Sequence, residues 1–209
     1  MERIKNNSIH LLALLSIPII NIFYGLLNNS ERGSFSLVTE IDKNIPFMKE
    51  FIIPYIMWYP YIFIIFLYLC LKNLNTYYRT LISLNIGLII CYITYFLFQT
   101  TVPRPHLYGN DIFIQLTKLI YRFDKPFNCF PSIHVLTCYL MIKGINFQSN
   151  CNKFTKLFVY ITSITIIIST LFVKQHVIMD LISAIALAEL IFHIVGKFNW
   201  KFLFIPDTE

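Results

Sequence analysis

Three short stretches hold the side chains of this chain that can do chemistry. The first, Ser169 to Asp180, reads S-T-L-F-V-K-Q-H-V-I-M-D. An apolar run stops there at Lys174, Gln175 and His176, and the next carries Asp180 into its first turn. With helix from Val177 onward, His176 and Asp180 are four residues apart and share a face. The second stretch, T-T-V-P-R-P-H from Thr100 to His106, supplies Arg104 between two prolines. The third, C-F-P-S-I-H from Cys129 to His134, supplies Ser132 and His134. A guanidinium is a planar fork suited to bidentate phosphate contact. Ser132, just after Pro131, reads as the N-cap of a helix whose free amides favour anions. Together with Lys174 and the Ser169 hydroxyl, these groups fit a tetrahedral oxyanion. Each has a plainer reading when taken alone. His176 and Asp180 could be a satisfied polar pair or half a metal site, Arg104 could snorkel to head groups, Lys174 could be an interfacial cation, and Ser169 could pack between helices. Their concentration between apolar runs favours function, because ionisable groups at that depth are expensive.

The elements that must position them are membrane helices. Of 209 residues, 56% are hydrophobic and 13% charged, with a mean hydropathy of +0.63; soluble domains carry about 25% charged residues. A crossing needs about 20 apolar residues. Six runs qualify, at approximately 9–27, 51–71, 81–98, 132–148, 157–173 and 177–195. Barrel alternation is absent, so helices must span. The expected fold is all-α: one integral membrane domain over 1–209, a bundle of six transmembrane helices with the chemical motifs within 99–180. Arg3 and Lys5 precede the first run as in a signal peptide, but no small-residue cleavage site follows, so it reads as a retained helix. The third loop, 99–131, contains helical periodicity from Asp111 to Arg122, with Ile112, Leu116, Leu119 and Ile120 on one side. This predicts a short amphipathic helix on the membrane surface. The first loop, 28–50, is expected at the interface, and Trp58 with nearby tyrosines in an aromatic belt.

Six helices put loops three and five on one face. With the N-terminus inside, nine of the seventeen Lys and Arg residues fall inside and eight outside, a slight lean to that orientation and to a site on the outer face. The net charge of +6 is scattered over short loops. It forms no basic stripe and thus gives no nucleic-acid signal; it suits anionic head groups and a phosphate-bearing substrate. The five cysteines are odd in number and lack a C-x-x-C spacing. That argues against a disulfide framework or zinc site, with Cys129 set apart by its neighbours. Glu189 and His193, four apart, are expected to pair in the bundle or face its cytoplasmic end, and His10 to close a helix end.

R-P at 104–105, P-S-x-H at 131–134 and S-x6-H-x3-D at 169–180 resemble, in order, the three signatures of the type 2 phosphatidic acid phosphatase superfamily. Its members are membrane lipid phosphatases and phosphotransferases that share a fold with vanadium haloperoxidases. The resemblance covers about 51–195. The fuller pattern, K-x6-R-P and S-R-x5-H-x3-D, is broken here by Leu97 and Thr170, with Lys174 as the replacement cation. T-V-P-R-P and K-Q-H are similar to the branch containing inositol phosphorylceramide synthases and related bacterial proteins. The resemblance implies a lipid phosphate substrate, no metal and no cofactor, in a bacterial plasma membrane. His176 would be the nucleophile, Asp180 its orienting partner, and His134 the acid and base. Arg104, Lys174, Ser132 and Ser169 would hold phosphate. The reaction would be hydrolysis of a lipid phosphomonoester or pyrophosphate through a phosphohistidine. The alternatives are transfer to an alcohol, or a non-enzymatic lipid-phosphate binder or transporter, suggested by Leu97.

Overall fold

The structure, a computed structural model, describes residues 9–29, 31 and 33–198. Eight helices carry it: α1 (Ser16–Leu27), α2 (Glu40–Asn44), α3 (Ile52–Lys72), α4 (Leu74–Leu97), α5 (Ile112–Phe123), α6 (Ile133–Phe147), α7 (Lys153–Phe172) and α8 (Ile178–Val195). A tighter turn, Leu12–Leu15, leads into α1, so the first apolar stretch runs Ile9–Leu27. Among the described residues five helices, built on α1, α3, α4, α7 and α8, are long and apolar enough to cross a membrane. The predicted fourth span becomes α6, which has fifteen residues. At 1.5 Å per residue it is about 22 Å long, short of the roughly 30 Å hydrocarbon core. Eleven of its residues are buried, so it is enclosed by protein and need not match the bilayer thickness.

Two boundaries move for local reasons. The stretch left between the second and third apolar runs, 72–80, shrinks to Asn73, which has an extended backbone and whose side chain caps α4 by accepting from the Thr76 amide at 3.0 Å. Helix α7 starts four residues early, because Asn152 caps it through the Thr155 amide at 2.7 Å. Helix α1 is bonded into the bundle. Asn85 Nδ2 donates to Ser16 Oγ at 2.8 Å, Tyr92 donates to Asn21, and His10 Nδ1 meets the Tyr78 hydroxyl at 2.8 Å. Of the basic residues used to orient the chain, Arg3, Lys5, Arg32 and Lys201 lie outside the described residues.

The largest buried cluster draws on α3, α4, α6, α7 and α8. Its tyrosines bury large rings and satisfy their hydroxyls: Tyr61 meets Ser163 Oγ at 2.6 Å, and Tyr95 donates to the Pro131 carbonyl at 2.5 Å. Trp58 is not in an interfacial belt. It is 7% exposed and packs against the His134 ring, centroids 4.3 Å apart. Near the other end, Arg79 lies between the rings of Phe147 and Phe192. Glu189 bonds Lys143 at 2.8 Å instead of pairing with His193.

The amphipathic helix forms as expected. Asp111 caps α5 through the amides of Phe113 and Ile114. Its inward face differs from the expected one. Phe113, Leu116 and Ile120 pack against the Ile52, Tyr55 and Val173 cluster, and Ile114 and Thr117 are buried. Ile112 and Leu119 are exposed. The stripe is thus set by what lies beneath the helix, and the exposed apolar residues form a second face. The all-α expectation also misses one pairing. Loop one contributes β1 (Phe35–Ser36), which runs parallel to β2 (Thr100–Thr101), with Phe35 opposite Thr100. Loop one is therefore fastened to the loop that carries Arg104.

Candidate functional site

Helix α7 ends at Phe172, and the chain reverses over Lys174, Gln175 and His176. Lys174 adopts a left-handed backbone, φ +52°, uncommon for a residue with a Cβ. The Thr170 carbonyl accepts from the amides of Gln175 and His176, at 3.0 and 3.2 Å. Lys174 Nζ donates to the carbonyls of Asp42, at 3.2 Å, and Ile45. The turn is pinned from both sides, and it presents His176 at the start of α8. His176 Nδ1 lies 3.2 Å from Asp180 Oδ2, which also accepts from the Val177 amide at 2.9 Å. A carboxylate at that position assigns the proton to Nδ1 and leaves the Nε2 lone pair free. His176 is 7% exposed and Asp180 is fully buried.

A cavity of about 350 Å³ opens on His176, with Asp180 behind it, and is lined also by Arg104 and Lys174 with Asp42, Lys43 and Pro103 among others. Arg104 is stacked 4.1 Å over the Tyr121 ring. It donates to the carbonyls of Tyr121 at 3.1 Å and Asp124 at 2.6 Å, and to Gln175 Oε1. Burial lowers its pKa, opposed chiefly by the Asp124 charge. Lys174 is likewise lowered by burial, with Asp42 opposing. Asp42 moves the other way from what burial would do. Hydrogen bonds from Thr39 and the Ile178 amide, with the Lys174 charge, hold its carboxyl below the ordinary value.

His134, in the first turn of α6, is 4% exposed. Its ring lies between those of Tyr55 and Trp58, centroids 4.6 and 4.3 Å away, and 5.7 Å from that of His176. Neither ring nitrogen has a hydrogen-bond partner among the described residues. Ser132 caps α6 as expected, its Oγ accepting from the Val135 amide at 3.3 Å, while its own amide donates to the Asp180 carbonyl at 3.2 Å. Thus α6 and α8 begin side by side. Neither Ser132 nor His134 lines the cavity, and Ser169 is not brought to it: Ser169 is fully buried and its hydroxyl bonds the Ile166 carbonyl at 2.6 Å. His106 is exposed on its loop. Leu97 is 73% exposed on the outside of the bundle, and Thr170 is buried with its hydroxyl on the Ile167 carbonyl at 2.7 Å. Neither position supplies a cation to the cavity. Lys43 lines it instead, paired with Glu40 at 2.6 Å.

Sequence reasoning missed four contributors. Asp42 and Lys43 come from loop one, which carries no recognisable motif. Gln175 is visible in the sequence only as part of a polar triplet, and Asp124 has no marker there. Asp124 accepts from Tyr24, from Tyr55 at 2.9 Å and from Gln175 at 3.4 Å. The Thr39-x-x-Asp42 capping box was the available signal for loop one. Cys129 is buried beside Val102 and Val177. Its sulfur, a His176 ring nitrogen and an Asp180 oxygen lie within 4.8 Å of one another, a grouping that sequence spacing does not reveal. Comparison of the chain with protein-family models, with curated proteins and with solved structures found no match.

Proposed function

We propose that this chain is an integral membrane phosphatase of the type 2 phosphatidic acid phosphatase kind, acting on a lipid phosphomonoester or pyrophosphate through His176. The observation that carries the reading is His176, held 3.2 Å from Asp180 and lining one cavity with Arg104 and Lys174. In the first step His176 Nε2 attacks phosphorus and the bond to the lipid oxygen breaks. Asp180 holds the Nδ1 proton and stabilises the cationic ring. His134, entering as the imidazolium, gives its proton to the departing alkoxide and, once neutral, takes one from the water that attacks the phosphohistidine. Arg104, Lys174 and the amides at the start of α6 stabilise charge on the phosphoryl oxygens. These fixed cations do the work that a metal ion does elsewhere. In this reading α6 makes a sixth crossing, short because it is sheathed by protein, and the cavity faces outward from a bacterial plasma membrane.

A second reading, transfer of the phosphoryl group to an alcohol, is favoured by the cation pattern. Leu97 and Thr170 stand where the hydrolases' pattern has cations, and Lys43 and Lys174 line the cavity instead. The chemistry is the same with another acceptor. The test is a panel of lipid phosphates in detergent with chelator present, with and without acceptor alcohols, and mass spectrometry of the products. Phosphate release, or a phosphorylated alcohol, lost in His176→Ala is the expected result. Full activity in His176→Ala overturns the assignment. Failure to trap a phosphohistidine with any substrate leaves a non-enzymatic binder as the better account.

A further inference from the structure

We propose that Cys129, His176 and Asp180 form a binding site for a soft divalent cation of the zinc class, and that its occupation shuts off the chemistry at His176. Binding of the ion does not depend on the proposed reaction; only the inhibition rests on that reading.

The three residues come from two loops and the start of α8, and all are buried, at 4%, 7% and 0% exposure. One ligating atom from each lies within 4.8 Å of the other two. Tetrahedral zinc holds nitrogen and oxygen at about 2.0 Å and sulfur at about 2.3 Å, which sets ligands about 3.3–3.5 Å apart. The 3.2 Å between His176 Nδ1 and Asp180 Oδ2 shows the ring and the carboxylate already close to that spacing, with Oδ1 as the carboxylate's unpartnered oxygen. The sulfur needs a shift on the order of 1 Å to complete the triangle.

A second observation points the same way. Asp180 Oδ1 is buried with no hydrogen-bond partner among the described residues. Buried carboxylate oxygens are ordinarily satisfied, so this one stands open to a ligand. The Cys129 thiol does not satisfy it, although burial and the Asp180 charge keep that thiol protonated. Nearby cations oppose an incoming ion less than their number suggests. Arg104 is engaged by two carbonyls and Gln175, and Lys174 by two carbonyls of loop one. Three protein ligands leave a fourth position for water from the cavity that His176 lines.

On binding, the Cys129 S–H bond breaks, its proton leaves to solvent, and the thiolate sulfur bonds the ion. Coordination through Nδ1 moves the ring proton to Nε2, so the imidazole loses the lone pair that would attack phosphorus. Coordination through Nε2 occupies that lone pair directly. Either geometry predicts inhibition.

The test uses the full chain in detergent, freed of metal with a chelator and titrated with cobalt(II), then zinc. One equivalent of cobalt producing a thiolate-to-cobalt charge-transfer band, bleached by zinc, is expected. Cys129→Ser should abolish the band and weaken zinc binding at least tenfold, while Cys138→Ser, a buried thiol elsewhere in the core, should keep both. His176→Ala should lose the band too. No band in the unaltered protein, or a band that survives Cys129→Ser, overturns the site. In the activity arm, zinc should suppress phosphate release reversibly, with chelator restoring it. Stoichiometric binding without suppression overturns the inhibitory role. If no lipid phosphate is turned over at all, the proposed reaction fails, and the cobalt spectrum still decides the metal site.

Discussion

The Asp42 carboxylate accepts a hydrogen bond from the Ile178 amide at 2.8 Å, so a residue of loop one caps the helix that begins beside His176. The other oxygen of Asp42 holds the Thr39 amide at 2.8 Å and hydroxyl at 2.6 Å. Through these bonds and the Lys174 contacts, loop one becomes a wall of the cavity.

That latch should be acid-sensitive. The Asp42 carboxyl is held below its ordinary value, burial being outweighed by its hydrogen bonds and Lys174. Its contribution is therefore complete above the unfolded pKa of about 3.9 and is lost as pH falls through the lower folded value. Hydrogen exchange over residues 33–50, corrected for intrinsic rate, should show protection at pH 6 that fades below pH 4. Asp42→Asn should cost about 1–2 kcal/mol of local opening energy and remove that pH dependence. Equal protection in the unaltered protein at both pH values would sink the latch.

Asp180→Asn tests the orienting role. An amide can donate to Nδ1 and favour the wrong tautomer, as in the triad of serine proteases, where such a change costs on the order of 10⁴ in kcat. The same order is expected for phosphate release here, with little change in KM. An unchanged rate would remove Asp180 from the reaction.

Arg104 depends on Asp124 for its place. Asp124 takes the guanidinium on its carbonyl and gathers Tyr24, Tyr55 and Gln175 on its carboxylate. Arg104→Lys cannot reproduce the fork and should lower kcat about 10²–10³-fold. Asp124→Asn should destabilise the protein by about 1–3 kcal/mol in thermal unfolding. It should also lower activity less than Arg104→Lys does, because it acts through positioning. If Asp124→Asn equals Arg104→Lys in kcat without loss of stability, Asp124 meets substrate directly.

The approach of α4 to α6, which brings Tyr95 to Pro131, is set by a glycine. A Cβ on Gly87 would lie 2.8 Å from Leu136 Cδ2, whereas one on Gly25 would meet nothing within 4 Å. Gly87→Ala and Gly25→Ala gain the same helix propensity. Their stabilities should nonetheless differ, with Gly87→Ala lower by about 1–3 kcal/mol from overpacking. Equal unfolding temperatures would mean that Leu136 gives way freely.

The sequence by itself determined the apolar helices, the amphipathic α5, the Ser132 cap and the four-residue spacing of His176 and Asp180. These are local: composition, period and cap chemistry act within a few residues. Only the tertiary structure decided that Trp58 packs against His134, that Ser169 turns back to its own helix and that Leu97 faces outward. A helical pattern says which residues are apolar but leaves open which neighbour each face meets. The same holds for Asp42 and Asp124, short-range caps and loop acids in sequence. Their partners at Ile178 and Arg104 lie 136 and 20 residues away, and chain folding alone brings them within reach.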